Sequence, residues 1–168
     1  RLGRKDSATV WGGLIDASRT GVVGYSMGGY GVVNLIGGGF AKAMEARETS
    51  PPNGLLGERG ASNPAYLKSM DPRIKAAIAI APWGMEQGYW DASGLAGITT
   101  PVLFVAGSAD DVSGYEKGTR AIFRAATNAD RYLLTYLNAN HNAGAPIPAP
   151  EENWTSKDGR PPGFTHYN

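Results

Sequence analysis

The chain has 168 residues, a formal net charge of +1 and 18 % charged residues. It is long enough for one domain with one sizeable core, and its charge balance gives no electrostatic reason to expect nucleic acid or an anionic membrane. It contains no cysteine, which excludes disulfide scaffolds, thiolate zinc sites and cysteine nucleophiles. No apolar run reaches the roughly 18 residues of a membrane span, and the opening RLGRKDSATVWGG lacks the apolar core of a signal peptide. Composition assigns no compartment. The 24 glycines, about twice the usual share, lie among apolar runs and point to turns and close packing.

In chain order, four short apolar runs predict strands of a buried parallel sheet: GVVGY at 21–25, IKAAIAIAP from Ile74, PVLFVAG from Pro101 and RYLLTYLN from Arg131. MGGYGVVNLIG follows the first run and predicts a helix. YEKGTRAIFRAAT from Tyr115 predicts another, with Tyr115, Ile122, Phe123 and Ala126 at helical spacing. Strands alternating with helices indicate an α/β fold. Residues 45–72, rich in proline and glycine, read as an irregular insertion within one domain spanning 1–168. The proline-rich stretch 143–168 has no periodicity and reads as loop. No internal repeat is visible.

GYSMG at 24–28 fits G-x-S-x-G. The motif carries weight only where a strand ends and a helix begins, because that turn exposes the serine in a strained conformation. GVVGY and MGGYGVVNLI supply that context, and Gly24 and Gly28 are expected to let strand and helix approach around the bend. The following helix start would direct N–H groups toward Ser26, with the Met27 N–H as one oxyanion donor. The competing reading, a glycine-rich phosphate cradle, lacks both G-x-G-x-x-G and G-K-[ST].

A nucleophilic serine needs a base and an orienting acid. Of two histidines, His141 follows the last predicted strand in NANHNAGA, at the carboxyl end where parallel α/β sheets place their sites. His166, in the loop-like tail, is treated as incidental. Asp110 and Asp111 follow the third strand in GSADDVSGY. Asp110 is preferred as the acid, leaving Asp111 or Ser113 to cap the next helix; the bland reading makes both aspartates turn residues. The order Ser26, Asp110, His141, each after a successive strand, is the strongest signal in the chain.

With GYSMGG, APWG, PVLFVAGSADDVSGY and NANHNAGAP on the page, the chain resembles the α/β-hydrolase superfamily over residues 15–150. It looks like the dienelactone-hydrolase-related branch that includes relatives of platelet-activating-factor acetylhydrolase. The same blocks are similar to bacterial cutinases and polyester hydrolases. The resemblance implies Ser26 as nucleophile, His141 as base, Asp110 as acid, Met27 as an oxyanion donor, and Trp83 lining the acyl or leaving-group side of the substrate. Trp83 also falls at the carboxyl edge of the sheet by its position after IKAAIAI, although packing is an equal explanation. Tyr25, Met85, Tyr89 and Trp90 divide in the same way between an acyl pocket and ordinary core. Dienelactone hydrolases themselves use cysteine, so the serine argues against that reaction.

Members of this superfamily carry several strands before the elbow strand, whereas here it comes first. The expectation is therefore the C-terminal half of the parallel sheet, the elbow strand plus three, in an internal stretch of a longer protein. The elbow strand would then lie at a sheet edge. The function implied is a serine hydrolase cleaving carboxylic esters through an acyl-enzyme, with polyester or lipid acyl hydrolysis as an alternative. A non-catalytic binding module is the alternative from another class. No metal or organic cofactor is needed. The expected partner is a small-molecule or lipid-like ester, with no nucleic acid and no membrane span.

Overall fold

The computed structural model describes residues 15–47 and 54–145. Within them, β1 (Thr20–Tyr25), β2 (Ile74–Ile80), β3 (Val102–Gly107) and β4 (Arg131–Tyr136) coincide with the four apolar runs. They form one sheet in the order β1-β2-β3-β4, with every neighbouring pair parallel. One row across it aligns Val23 with Ile78, Ile78 with Leu103, and Leu103 with Tyr132. The expected four parallel strands of an α/β fold, the elbow strand plus three, are the arrangement observed among the described residues. All four carboxyl ends therefore open onto one edge, which gathers the residues that follow each strand.

The expectation of strands buried on both faces holds only for β3; in β2, though interior, only Ala77 and Ala79 are buried. β3 is almost wholly buried, whereas β1 and β4 are the sheet's edges and stay half exposed. Val23 is 65 % exposed and Tyr132 67 %. Val23 and Tyr132 share a row with Ile78 and Leu103, none of them buried, so among the described residues one face of the sheet is left partly open.

α1 (Met27–Leu35) turns back from β1 and packs on β1 and β2. Its Val32 and Val33, with Ile36 just beyond it, join Phe40, Trp90, Leu95, Ile98, Phe104 and Ile122 in one core. Burial of each such aliphatic side chain stabilises the fold by about 1.5–3 kcal/mol. Gly24 is what permits the tight return. A Cβ there would collide with the Gly28 carbonyl, whereas a Cβ at Gly28 would meet nothing within 4 Å. The close approach expected of both glycines thus requires only the first.

After α2 (Lys42–Glu45), the described part of the expected irregular insertion holds α3 (Leu55–Glu58) and α4 (Pro64–Lys68). The punctuating residues start one-turn helices here. Pro64 opens α4, and the Asn63 side chain accepts the Ala65 N–H at 3.0 Å. α5 (Ala92–Leu95) begins likewise at Asp91, whose carboxylate accepts the Gly94 N–H at 2.9 Å.

The segment from Tyr115 departs from the single helix predicted. A wide turn over Tyr115–Thr119 leaves helical geometry at Gly118 (φ −101°, ψ −110°) before α6 (Arg120–Ala125) begins. A Cβ at Gly118 would collide with the Ser113 carbonyl, so only glycine fits at this kink. Ile122 and Ala126 are nevertheless fully buried, as their spacing required. A short 3-10 turn, His141–Gly144, follows β4. Residues 48–53 and most of the loop-like tail, including His166, lie outside the described residues.

Candidate active site

Ser26 sits between β1 and α1 at φ 54°, ψ −113°. A non-glycine residue at such an angle is strained by about 1–3 kcal/mol and persists only where its surroundings hold it. They do so from both sides. The Ser26 N–H donates to the Ile80 carbonyl at 2.9 Å, while its own carbonyl accepts from Tyr30 N at 3.0 Å and Trp83 N at 3.2 Å. The bend is thus bonded to β2, to α1 and to the segment after β2.

From that position the Ser26 hydroxyl lies 3.0 Å from His141 Nε2. His141 Nδ1 is 3.0 Å from each Asp110 carboxylate oxygen. The histidine and aspartate side chains are 5 % and 0 % exposed. Burial alone would raise the Asp110 pKa. The hydrogen bond from His141 and the backbone N–H groups of Ser113 and Val112 outweigh it, holding the carboxyl below the usual aspartate value. An ionised carboxylate only accepts hydrogen bonds, so Nδ1 must carry the ring proton. That tautomer leaves Nε2 as an acceptor facing the serine hydroxyl.

Of the two candidate acids, Asp110 is the one brought to His141. The capping role expected of Asp111 or Ser113 does not appear: the next helical segment starts at Gly114 with no side-chain cap. Asp110 itself accepts Val112 N at 2.9 Å and Ser113 N at 2.8 Å. Ser113 donates its hydroxyl to the Ala81 carbonyl at 2.8 Å, tying the acid loop to the end of β2.

Met27 is the first residue of α1, so its N–H is one of those with no acceptor inside the helix. Its side chain is 57 % exposed beside the bend. Trp83 is half-buried, with its ring 5.4 Å from Tyr89 and 6.3 Å from Tyr30. Trp90, by contrast, is core: it is 2 % exposed and donates Nε1–H to Asn34 at 2.9 Å. The Tyr25 ring lies 5.2 Å from the His141 ring, and its hydroxyl bonds the Asn142 side chain.

Sequence reasoning missed three polar side chains. Ser113 was read only as a cap. Asn140 and Asn142 flank His141 in NANHNA, and that pairing was the available signal. The Asn140 Oδ1 accepts both His141 N–H, at 2.6 Å, and Asp111 N–H, at 3.0 Å.

Two concavities of about 300 and 370 Å³ lie elsewhere, the first beside Arg59 and Tyr66 and the second beside Lys42 and Asp91. Among the described residues no group of three or more His, Cys, Asp or Glu could hold a metal ion, and no helix is long and apolar enough to cross a membrane.

No protein-family model matches the chain, and no curated protein is significantly similar to it in sequence. Among solved structures it is similar to dipeptidyl peptidase 4 of Porphyromonas gingivalis, at 20 % identity and a TM-score of 0.48, over 76 % of this chain and 17 % of that one. It is also similar to a Klebsiella pneumoniae structure described as a dienelactone hydrolase, at 20 % identity and a TM-score of 0.45, over 82 % of this chain and 47 % of that one. The chain thus spans less than half the length of either.

Proposed function

We propose that the protein is a serine hydrolase that cleaves carboxylic esters through an acyl-enzyme, with Ser26 as nucleophile, His141 as general base and Asp110 as the orienting acid. The observation that carries this reading is the unbroken chain of contacts from the Ser26 hydroxyl through both His141 ring nitrogens to a buried Asp110.

In this mechanism His141 Nε2 takes the serine proton as Oγ attacks the ester carbonyl. The Met27 N–H, at the positive end of α1, stabilises the oxyanion. Collapse of the tetrahedral adduct expels the alcohol, which receives the proton from Nε2. Water, deprotonated by the same nitrogen, then releases the acid and regenerates Ser26. Asp110 holds the productive tautomer and offsets the charge of the imidazolium. Trp83 and the Tyr25 ring supply apolar surface beside the serine, which suits a small-molecule or lipid-like ester.

Two measurements test the proposal in the full-length protein. A fluorophosphonate should label Ser26, and Ser26→Ala should abolish both labelling and hydrolysis of p-nitrophenyl acetate. Retention of most esterase activity by that variant removes the assignment. Faster turnover of an aminoacyl p-nitroanilide than of the ester keeps the mechanism and overturns the ester preference.

A further inference from the structure

We propose that the two asparagines flanking His141 are positioning residues, each tying the histidine to the neighbour of one other member of the Ser26–His141–Asp110 set; this rests on the serine-hydrolase reading above. Asn140 is 6 % exposed. Its single oxygen accepts the N–H of His141 and the N–H of Asp111, the residue next to Asp110. Asn142 accepts the hydroxyl of Tyr25, the residue before Ser26. His141 is thereby fastened to the acid loop on one side and to the elbow strand on the other.

The rest of the junction between the acid and histidine loops is largely backbone. Ser108 N–H donates to the Tyr136 carbonyl and Ala109 N–H to the Ala139 carbonyl, each at 2.9 Å. Asn138 N–H donates to Ser108 Oγ at 2.8 Å. These contacts join the roots of the two loops. The Asn140 carboxamide joins them one residue from His141 and one from Asp110, so it sets the separation of Asp110 from His141. Its removal leaves two backbone N–H groups in a largely buried junction without this acceptor, which a small side chain cannot replace. The Tyr25–Asn142 contact acts on the other distance, between the imidazole and the serine.

The two ties make different predictions. In the full-length protein labelled with 15N-histidine, the His141 ring resonances are assigned by their loss in His141→Gln. The wild type should show a strongly downfield proton on His141 Nδ1 from its bond to Asp110. Asn140→Ala should lose that resonance and react with a fluorophosphonate about a hundred-fold more slowly, the scale expected for about 1 Å of misplacement. Asn140→Ser keeps an oxygen at the start of the turn but is too short to reach Asp111. It should behave the same way, and it replaces the alanine variant should that one not fold. Tyr25→Phe and Asn142→Ala should retain the resonance yet label about ten-fold more slowly or worse. Folded Asn140 variants that keep both resonance and rate overturn the inference, as does unchanged labelling in Tyr25→Phe. A wild type that shows the resonance but never labels at Ser26 instead overturns the hydrolase reading.

Discussion

Asp110 combines a fully buried side chain with a carboxyl held in its charged form by His141, Ser113 N–H and Val112 N–H. Its lowered pKa means that the stabilisation is present above the usual aspartate value, about 3.9, and disappears as pH falls through the lower folded value. The stability advantage of the wild type over Asp110→Asn, followed by urea unfolding, should therefore shrink as pH drops below about 4. On the proposed mechanism the same variant should lower kcat by about 10⁴-fold with little change in KM, because the amide favours the wrong histidine tautomer. Sequence order pointed to the Asp110–Asp111 pair after the third strand as the source of the proposed acid, and Asp110 is the one in contact with the histidine after the fourth. The reason for preferring it to Asp111 was weaker than the result. Neither Asp111 nor Ser113 caps a helix, and the Ser113 bond to Ala81 depends on where β2 ends in space. Such a contact between segments 32 residues apart leaves no local signature.

At the scale of elements, the bend between β1 and α1 separates glycines that look equivalent in GYSMG. Gly24 faces the Gly28 backbone, whereas Gly28 faces open space. Gly24→Ala should destabilise the protein by about 1–3 kcal/mol or more through overpacking. Gly28→Ala should be neutral or mildly stabilising, since alanine is the better helix former. Chemical denaturation of the two variants measures the difference, and equal losses would mean that the bend is packed otherwise. The strands were legible because four apolar runs of the right length stand between turn-forming residues, glycine and proline around the first three and asparagine and aspartate around the fourth. The helix from Tyr115 was only half legible. Its spacing marked Ile122 and Ala126 as core, but the kink at Gly118, where a Cβ would collide with the Ser113 carbonyl five residues earlier, is a local backbone feature that apolar periodicity does not carry. In α3 and α4, helices of a single turn are too short to show a period.

Across the whole molecule, the expected exposure of the elbow strand is visible in β1, an edge of the described sheet with Val23 65 % exposed. An open edge with an apolar residue on it is a template for strand pairing between copies. The 168-residue chain produced by itself should self-associate, and Val23→Lys should shift it toward monomer in size-exclusion chromatography with light scattering. A monodisperse monomer without that substitution would show that the edge is innocuous.

The positions of Ser26 and His141 add a mechanical consequence. They follow the two outer strands of the described sheet, so a 3.0 Å contact bridges a sheet whose neighbouring strands are spaced by about 4.8 Å. That contact is a strain gauge laid across the full width of the described sheet. Outer strands fray before the interior does, and any splaying of β1 from β2 opens the gauge while β3 and the core remain intact. Reactivity of Ser26 should therefore fade at lower urea than the circular dichroism signal. The serine would register the loosening of its own strand before the fold as a whole gives way.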